Sequence, residues 1–479
     1  MKTRSQHLKK LAVNSFFSSL SELSMGLLFL LFIIAARILG DTQFGVFSFA
    51  LAYVSIFGII SDCGLRYLYI TMVSRDPSLK SKYFENILSL QIFLSLICLA
   101  FIYISINLFE KTDEAKTVIY FLAGAEVIRS LKFFFRFVFR TSERFKLESL
   151  TVSLERLALL IVGATLLSLG FGVVPLAATF LFVRIVDFLI TLLFVKTILP
   201  LRLGFDLSFW PTLLKQGMPF ALTGLVMLIL LRIDTVMISL IKNDTEVGWY
   251  NAGYKLIEAA AFFPAILVNS LLPSISSLHG KTAEISMLYQ RAMRYILLIA
   301  IPLSIIAFIL AEPIIIFVFG SEYHQTVIVF KILLLSLSFA FIYHVGSTVL
   351  SGIGQQKMAL YIACAVLLLN IILNAALIPN KGYVGAAIAT MVSEFVFCLL
   401  YGGFLFSLGY KISWFKLALK PLIATSTISF LILLFPAHLG VTIFFAILGY
   451  FGMMTLLSYW DEEEILFIKK ISSSLKEYF

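Results

Sequence analysis

Apolar runs of about twenty residues or more recur from one end of the chain to the other. Each is long enough to cross roughly 30 Å of hydrocarbon as a helix, the conformation in which a segment satisfies its own backbone polar groups. Composition agrees: 60% of the 479 residues are hydrophobic and 13% are charged, against roughly 45–50% and 25% in soluble domains. Gly, Pro, Asn and charge clusters divide the chain into about fourteen predicted transmembrane helices. They lie near 11–39, 43–70, 84–109, 116–140, 147–169, 174–199, 211–241, 246–277, 288–319, 325–351, 356–378, 383–408, 414–435 and 438–459. The expected fold class is an all-α polytopic membrane protein. The opening MKTRSQHLKK and the apolar stretch after it read as a retained first helix. That stretch is too long for a signal peptide, and no small-residue cleavage site follows it.

Loop charge sets the expected orientation. One set of connections holds Lys2, Arg4, Lys9, Lys10, Arg75, Lys80, Lys82, Arg144, Lys146, Arg202, Lys281, Lys357, Lys411, Lys469, Lys470 and Lys476; the other holds little beyond Lys111, Lys116, Lys242 and Lys381. The positive-inside rule then puts both termini in the cytoplasm. The net charge of +10 is thus a topology signal, and no nucleic-acid partner is expected. The tail DEEEILFIKKISSSLKEYF reads as a short amphipathic cytoplasmic segment. Cys63, Cys98, Cys364 and Cys398 are scattered in apolar runs without a CxxC pair, and the five histidines are isolated, so neither a metal centre nor a nucleophile triad is expected. A polymerase or glycosyltransferase would need a substantial loop bearing acid, base or metal-binding residues. The outer connections are only a few residues long, and no DxD-like or HExxH-like site occurs, so the chain does not read as an enzyme.

The sequence echoes itself. DTQFGVF at 41–47 matches DTEVGWY at 244–250, SERFKLESL after the fourth helix matches GQQKMALYI after the tenth, and VVPLAAT at the sixth matches VGAAIAT at the twelfth. The matches keep their order and imply two parallel six-helix repeats, 1–200 and 205–408, with two helices appended in 409–479. Transporters with such repeats place the substrate between the halves and alternate access by rocking them.

Within VIRSLKFFFRFVFRTSERFK, residues 127–146, Arg129, Lys132, Arg136 and Arg140 recur at helical spacing. They occupy an arc of roughly 80° and about 16 Å of helix, with Phe134, Phe135 and Val138 on the other side. Charges within a membrane span are costly and usually functional. Arg129, Lys132 and Arg136 therefore read as the wall of a cationic, wet cavity, with Arg232 and Lys255 adding charge from the second half. Arginine suits phosphate oxygens through its bidentate fork. Arg37, Arg66 and Arg140, near helix ends, are expected to snorkel. Glu155 and Arg156 are adjacent and carry no signal, whereas Arg184 and Asp187 are spaced to neutralise each other.

ARILGDTQFGVFSFALAYVSIFGIISDCGL, the RIDTVMISLIKNDTEVGWYNAGYK segment and NIILNAALIPNKGYVGAAIATMVSE together resemble the polysaccharide-biosynthesis flippases. These are Wzx-type O-antigen, capsule or exopolysaccharide repeat-unit flippases within the multidrug/oligosaccharidyl-lipid/polysaccharide exporter superfamily. The resemblance runs from about residue 10 to 408. It implies a V-shaped pair of six-helix bundles around a cationic cavity. The cargo it implies is an undecaprenyl-pyrophosphate-linked oligosaccharide crossing a bacterial inner membrane, in contact with membrane lipids and polysaccharide polymerase machinery. A multidrug or lipid II-type transporter of the same superfamily is the alternative. No cofactor is implied beyond a coupling ion. By resemblance to the lipid II flippase, Asp234, Asn370, Asn374 and Thr390 fall where a sodium site would be, with Asn374 in place of a carboxylate; Glu22, Glu258 and Glu394 are the alternatives for proton coupling.

Overall fold

A computed structural model describes residues 17, 21–278, 280–435, 437–460 and 464. The basic N-terminal decapeptide, most of the C-terminal tail and the cytoplasmic placement of both ends lie outside the described residues. Fifteen α-helices are described. They are α1 (Met25–Asp62), α2 (Leu65–Arg75), α3 (Lys80–Asn107), α4 (Asp113–Thr141), α5 (Phe145–Ser168), α6 (Val173–Lys196), α7 (Trp210–Ile241), α8 (Asp244–Ala260), α9 (Phe262–Ser277), α10 (Thr282–Ile309), α11 (Ala311–Phe319), α12 (Thr326–Gly352), α13 (Gln356–Ser407), α14 (Trp414–Leu434) and α15 (Leu439–Leu456).

Two of these helices turn back on themselves at a glycine. Gly40 in α1 has φ 73°, and beyond it Phe47 packs 6.1 Å from Phe32. Fifteen residues of straight helix would separate them by about 22 Å. Gly382 in α13 has φ 55°, and a Cβ on nearby Gly385 would lie 2.7 Å from the Leu377 carbonyl carbon. The predicted spans 11–39/43–70 and 356–378/383–408 thus share one element each.

Elsewhere the structure breaks what was expected whole. The span 43–70 is interrupted at Cys63–Gly64, 246–277 at Ala261, and 288–319 at Leu310. Pro313 suits the last break, because its missing N–H costs nothing in the first turn of a new helix. Among the described residues, eleven helical stretches are long and apolar enough to cross a membrane, against fourteen expected spans. The two glycine turns each merge a pair, and α4 is left out by its charge.

The chain forms two compact units, residues 1–255 with 367–389, and residues 256–366 with 390–479. They do not coincide with the expected repeat boundary at 200–205. In the first unit, Tyr69, Phe84, Phe134, Phe135, Val138 and Phe139 form an aromatic core between α2, α3 and α4, with Phe84 and Phe134 stacked at 5.5 Å. The apolar side of α4 therefore packs where the sequence put it. In the second unit, α14 and α15 pack on α10 around Ile428 and Tyr450, whose hydroxyl donates to the Leu298 carbonyl at 2.8 Å.

Candidate functional site

The basic ladder of α4 is real, and most of it is neutralised. Thr112 caps the helix through the Ala115 N–H at 3.2 Å, and Asp113 and Glu114 occupy its first turn, as the helix dipole favours. Farther along, the fully buried Lys132 ammonium lies 2.6 Å from Glu155 and 2.8 Å from Asp187. Arg136, also buried, lies 3.1 Å and 2.9 Å from the same two carboxylates. Arg129 binds Glu126 through its Nε at 2.7 Å and through Nη2, and Arg184 stands 3.7 Å from both Glu126 and Glu155. Four cations thus face three carboxylates, leaving one positive charge in excess.

This changes the sequence-based picture at several residues. Lys132 and Arg136 do not form a cavity wall in this conformation. Glu155, set aside as uninformative, joins three cations, and Arg184 and Asp187 turn to different partners. The carboxylates arrive from α5 and α6, 19 and 51 residues from Arg136, beyond the reach of helical periodicity. Burial forces the pairing, because an uncompensated ion in the interior costs several kcal/mol.

Three arginine side chains beside these pairs keep part of their surface exposed. Arg129 is 34% exposed, Arg140 43% beside Glu148, and Arg66 24% beside Asp62 at 3.3 Å. Arg66 does not stand alone as a snorkelling residue would. Its guanidinium carbon is 5.0 Å from the Tyr67 ring centre, 5.4 Å from Phe133 and 5.9 Å from Phe137. Arg129 is 5.1 Å from the same Phe133 ring. Sequence reasoning missed this cluster; the signal was Arg66-Tyr67 four residues after Asp62. Arg232 on α7 and Lys255 on α8 are half-buried, with the Lys255 ammonium 4.5 Å from the Phe32 ring centre.

Three of the four residues expected to hold a coupling ion come together. Asp234 accepts from Tyr250 at 2.6 Å and from Asn374 Nδ2 at 2.6 Å, and Asn374 Nδ2 also donates to Asn370 Oδ1 at 3.0 Å. All are buried, and Asn374 Oδ1 accepts no hydrogen bond among the described residues. Beside them Thr235 and Asn251 pair at 3.1 Å. Thr390 belongs to the second compact unit. Of the proton-coupling alternatives, Glu22 is exposed, and Glu258 and Glu394 are half-buried.

The repeated motif also acquires a role. Thr42 and Thr245, equivalent positions 203 residues apart, meet Oγ1 to Oγ1 at 2.8 Å. Gly45 abuts the Asp244 carbonyl and Gly248 the Asp41 carbonyl, so closely that a Cβ at either would overlap it. Around this pair Trp249 donates to Asp41 at 2.8 Å, Lys111 to Asp244 at 2.9 Å, and the Tyr383 backbone N–H to Glu246 at 2.8 Å. Connections with few basic residues gather here. The lysine-bearing connections make separate contacts, Lys80 with Ser142 at 3.0 Å and Asn86 with the Asp206 N–H at 3.0 Å.

Many apolar helices, two of them folded at glycines, define a multi-pass membrane protein with an ion-pair network buried within one unit. Its structure resembles that of the lipid II flippase MurJ in an inward closed conformation, with TM-score 0.77, 21% identity, and coverage of 92% of this chain and 98% of that one. An inward-facing multidrug resistance MATE family transporter gives TM-score 0.64 and 14% identity, over 81% and 94%. At such identities the likeness is one of fold. In sequence, the chain is 25% identical to an uncharacterized membrane protein of Methanocaldococcus jannaschii over 388 residues, 78% of this chain and 92% of that protein. It is 25% identical to the probable low-salt glycan biosynthesis flippase Agl15 of Haloferax volcanii over 176 residues, 36% and 37% of the two chains. The polysaccharide biosynthesis protein profile matches residues 11–279, and the MatE profile residues 219–376. The chain belongs to the polysaccharide biosynthesis protein family.

Proposed function

We propose that this protein is a flippase that carries a lipid-linked oligosaccharide across the membrane by alternating access. The observation that carries this reading is the trio of partly exposed arginine side chains, Arg66, Arg129 and Arg140, beside the buried pairs of the first unit. The phosphate or pyrophosphate of such a lipid is the group most penalised by hydrocarbon, and a guanidinium fork replaces its water with directed, charge-assisted hydrogen bonds. In this reading Lys132 and Arg136 position the ladder without touching the cargo, and Arg232 and Lys255 extend the cationic path. The two repeats, 1–200 and 205–408, rock so that the paired DTxxG turns part and close again, and the lysine-rich connections face the cytoplasm. Undecaprenyl pyrophosphate in a bacterial inner membrane is the first carrier to test; the named relatives are archaeal, so the carrier is an outcome of the test. The product would pass to polysaccharide polymerase machinery. Arg129→Gln in proteoliposomes should slow translocation of a pyrophosphate-linked oligosaccharide at least tenfold, the order that losing one charge-assisted contact of about 1.5–3 kcal/mol implies. Unchanged translocation would overturn the role of Arg129.

Coupling to sodium fits the Asp234 cluster. Asp234, Asn370 and Asn374 would hold the ion. A single carboxylate with amide oxygens suits a hard monovalent cation, and Asn374 Oδ1 is a buried acceptor without a hydrogen bond among the described residues. Transport should then depend on external sodium, and Asp234→Asn should abolish that dependence. Equal rates with sodium or with a bulky organic cation would exclude it.

A further inference from the structure

α1 ends and α2 begins through two successive left-handed residues, Cys63 at φ 44° and Gly64 at φ 73°. The second is tucked so tightly against the Gly217 carbonyl of α7 that a side chain there would overlap it. A non-glycine residue at positive φ is uncommon and costs of order 1–3 kcal/mol when held there. The joint restarts the helix so that Arg66 leans back on Asp62 and Tyr67 points outward, 45% exposed. Phe220 of α7, 38% exposed, stacks with Tyr67 at 6.2 Å and 25°, and Phe137 meets Tyr67 edge-on at 5.3 Å and 86°.

Open aromatic rings on a membrane helix ordinarily face lipid or the bilayer interface. Tyr67 adjoins the partly exposed Arg66, and Phe137 beside it lies under both Arg66 and Arg140, for which hydrocarbon contact would be costly. A cation beside two partly exposed rings matches a phosphorylated sugar. The guanidinium takes the phosphate, and the C–H face of a pyranose lies on the ring as other apolar surfaces do. We propose that Tyr67 and Phe220 form the platform on which the sugar next to the phosphate rests, making Tyr67 a specificity-determining residue. This inference rests on the flippase reading above.

The test compares two probes on the purified full-length protein in nanodiscs, a short polyprenyl pyrophosphate and the same lipid carrying one N-acetylhexosamine. Wild-type protein should bind the glycosylated probe more tightly. Tyr67→Ala should weaken that probe about tenfold, the scale of one aromatic contact, and leave the bare probe within about twofold. Tyr67→Phe should keep the preference. Tyr67→Leu, which keeps the volume without the π face, should lose it if the alanine variant does not fold. Arg129→Gln should weaken both probes alike. Equal wild-type affinity for the two probes, or equal loss of both with Tyr67→Leu, overturns the platform while leaving the lipid-phosphate reading in place. Binding of neither probe overturns that reading and the platform with it.

Discussion

Lys132 has no exposed surface, and its ammonium is shared between Glu155 and Asp187 at 2.6 and 2.8 Å. Its worth to the protein is therefore compensation. Asp187→Asn would leave two buried cations with one fully charged partner. Removing one member of a buried pair costs about 3–5 kcal/mol, so the thermal midpoint in detergent should fall by several degrees. Lys132→Met combined with Asp187→Leu deletes one charge of each sign and leaves Arg136 with Glu155 at 3.1 Å. That double variant should regain most of the lost stability, because replacing a whole buried pair by apolar groups is close to neutral. It also separates the two readings of Lys132. A stable double variant that transports normally keeps Lys132 out of the substrate path, and a stable but inactive one returns it there. Gly58 belongs to the same arrangement, since a Cβ on it would collide with the Glu126 carboxylate that holds Arg129.

At the scale of elements, the turns of α1 and of α7–α8 approach backbone to backbone only because Gly45 and Gly248 lack side chains. Gly45→Ala or Gly248→Ala should wedge this contact apart without touching any charged residue. The expected result is a lower population of the closed arrangement, read as a longer spin-label distance between positions 42 and 245. An unchanged distance distribution would show that the contact yields without cost. The DTxxG echo was legible in the sequence, as were the apolar face of α4, the helical character of the spans within the described residues and the glycine turns. What was not legible has one physical cause. Periodicity reports the neighbours of a residue on its own helix, whereas Glu155, Asp187 and the Arg66–Phe133 contact reach α4 from other helices. The ladder was therefore found and its neutralisation was not. The Asp234 cluster was found only through family resemblance, because nothing in the spacing of Asp234 and Asn374, 140 residues apart, points to a hydrogen bond.

For the whole molecule, the turn contacts explain why the first compact unit runs past residue 200 to Lys255 and takes in Leu367–Ala389. Trp249 with Asp41 and Lys111 with Asp244 join the expected second repeat to the first, and Tyr383 with Glu246 brings the turn of α13 to the same place. Partly exposed polar contacts contribute about 1 kcal/mol or less each, so this seal holds by only a few kcal/mol. That suits a transporter, because roughly 5.5 kcal/mol of differential binding carries a two-state equilibrium from 1:99 to 99:1. A cargo that binds the two states unequally could therefore open the seal and release it again. A covalent bond could not be opened that way. The threonine hydroxyls of positions 42 and 245 lie 2.8 Å apart, near the roughly 2.05 Å of a disulfide. Thr42→Cys with Thr245→Cys, made after replacing the free Cys63, Cys98, Cys364 and Cys398, should crosslink under mild oxidation. Transport in proteoliposomes should stop on oxidation and return with reductant, while each single cysteine variant stays active throughout. If the crosslinked protein still transported at the reduced rate, the paired DTxxG turns would be a fixed hinge, and the opening required by alternating access would have to lie elsewhere.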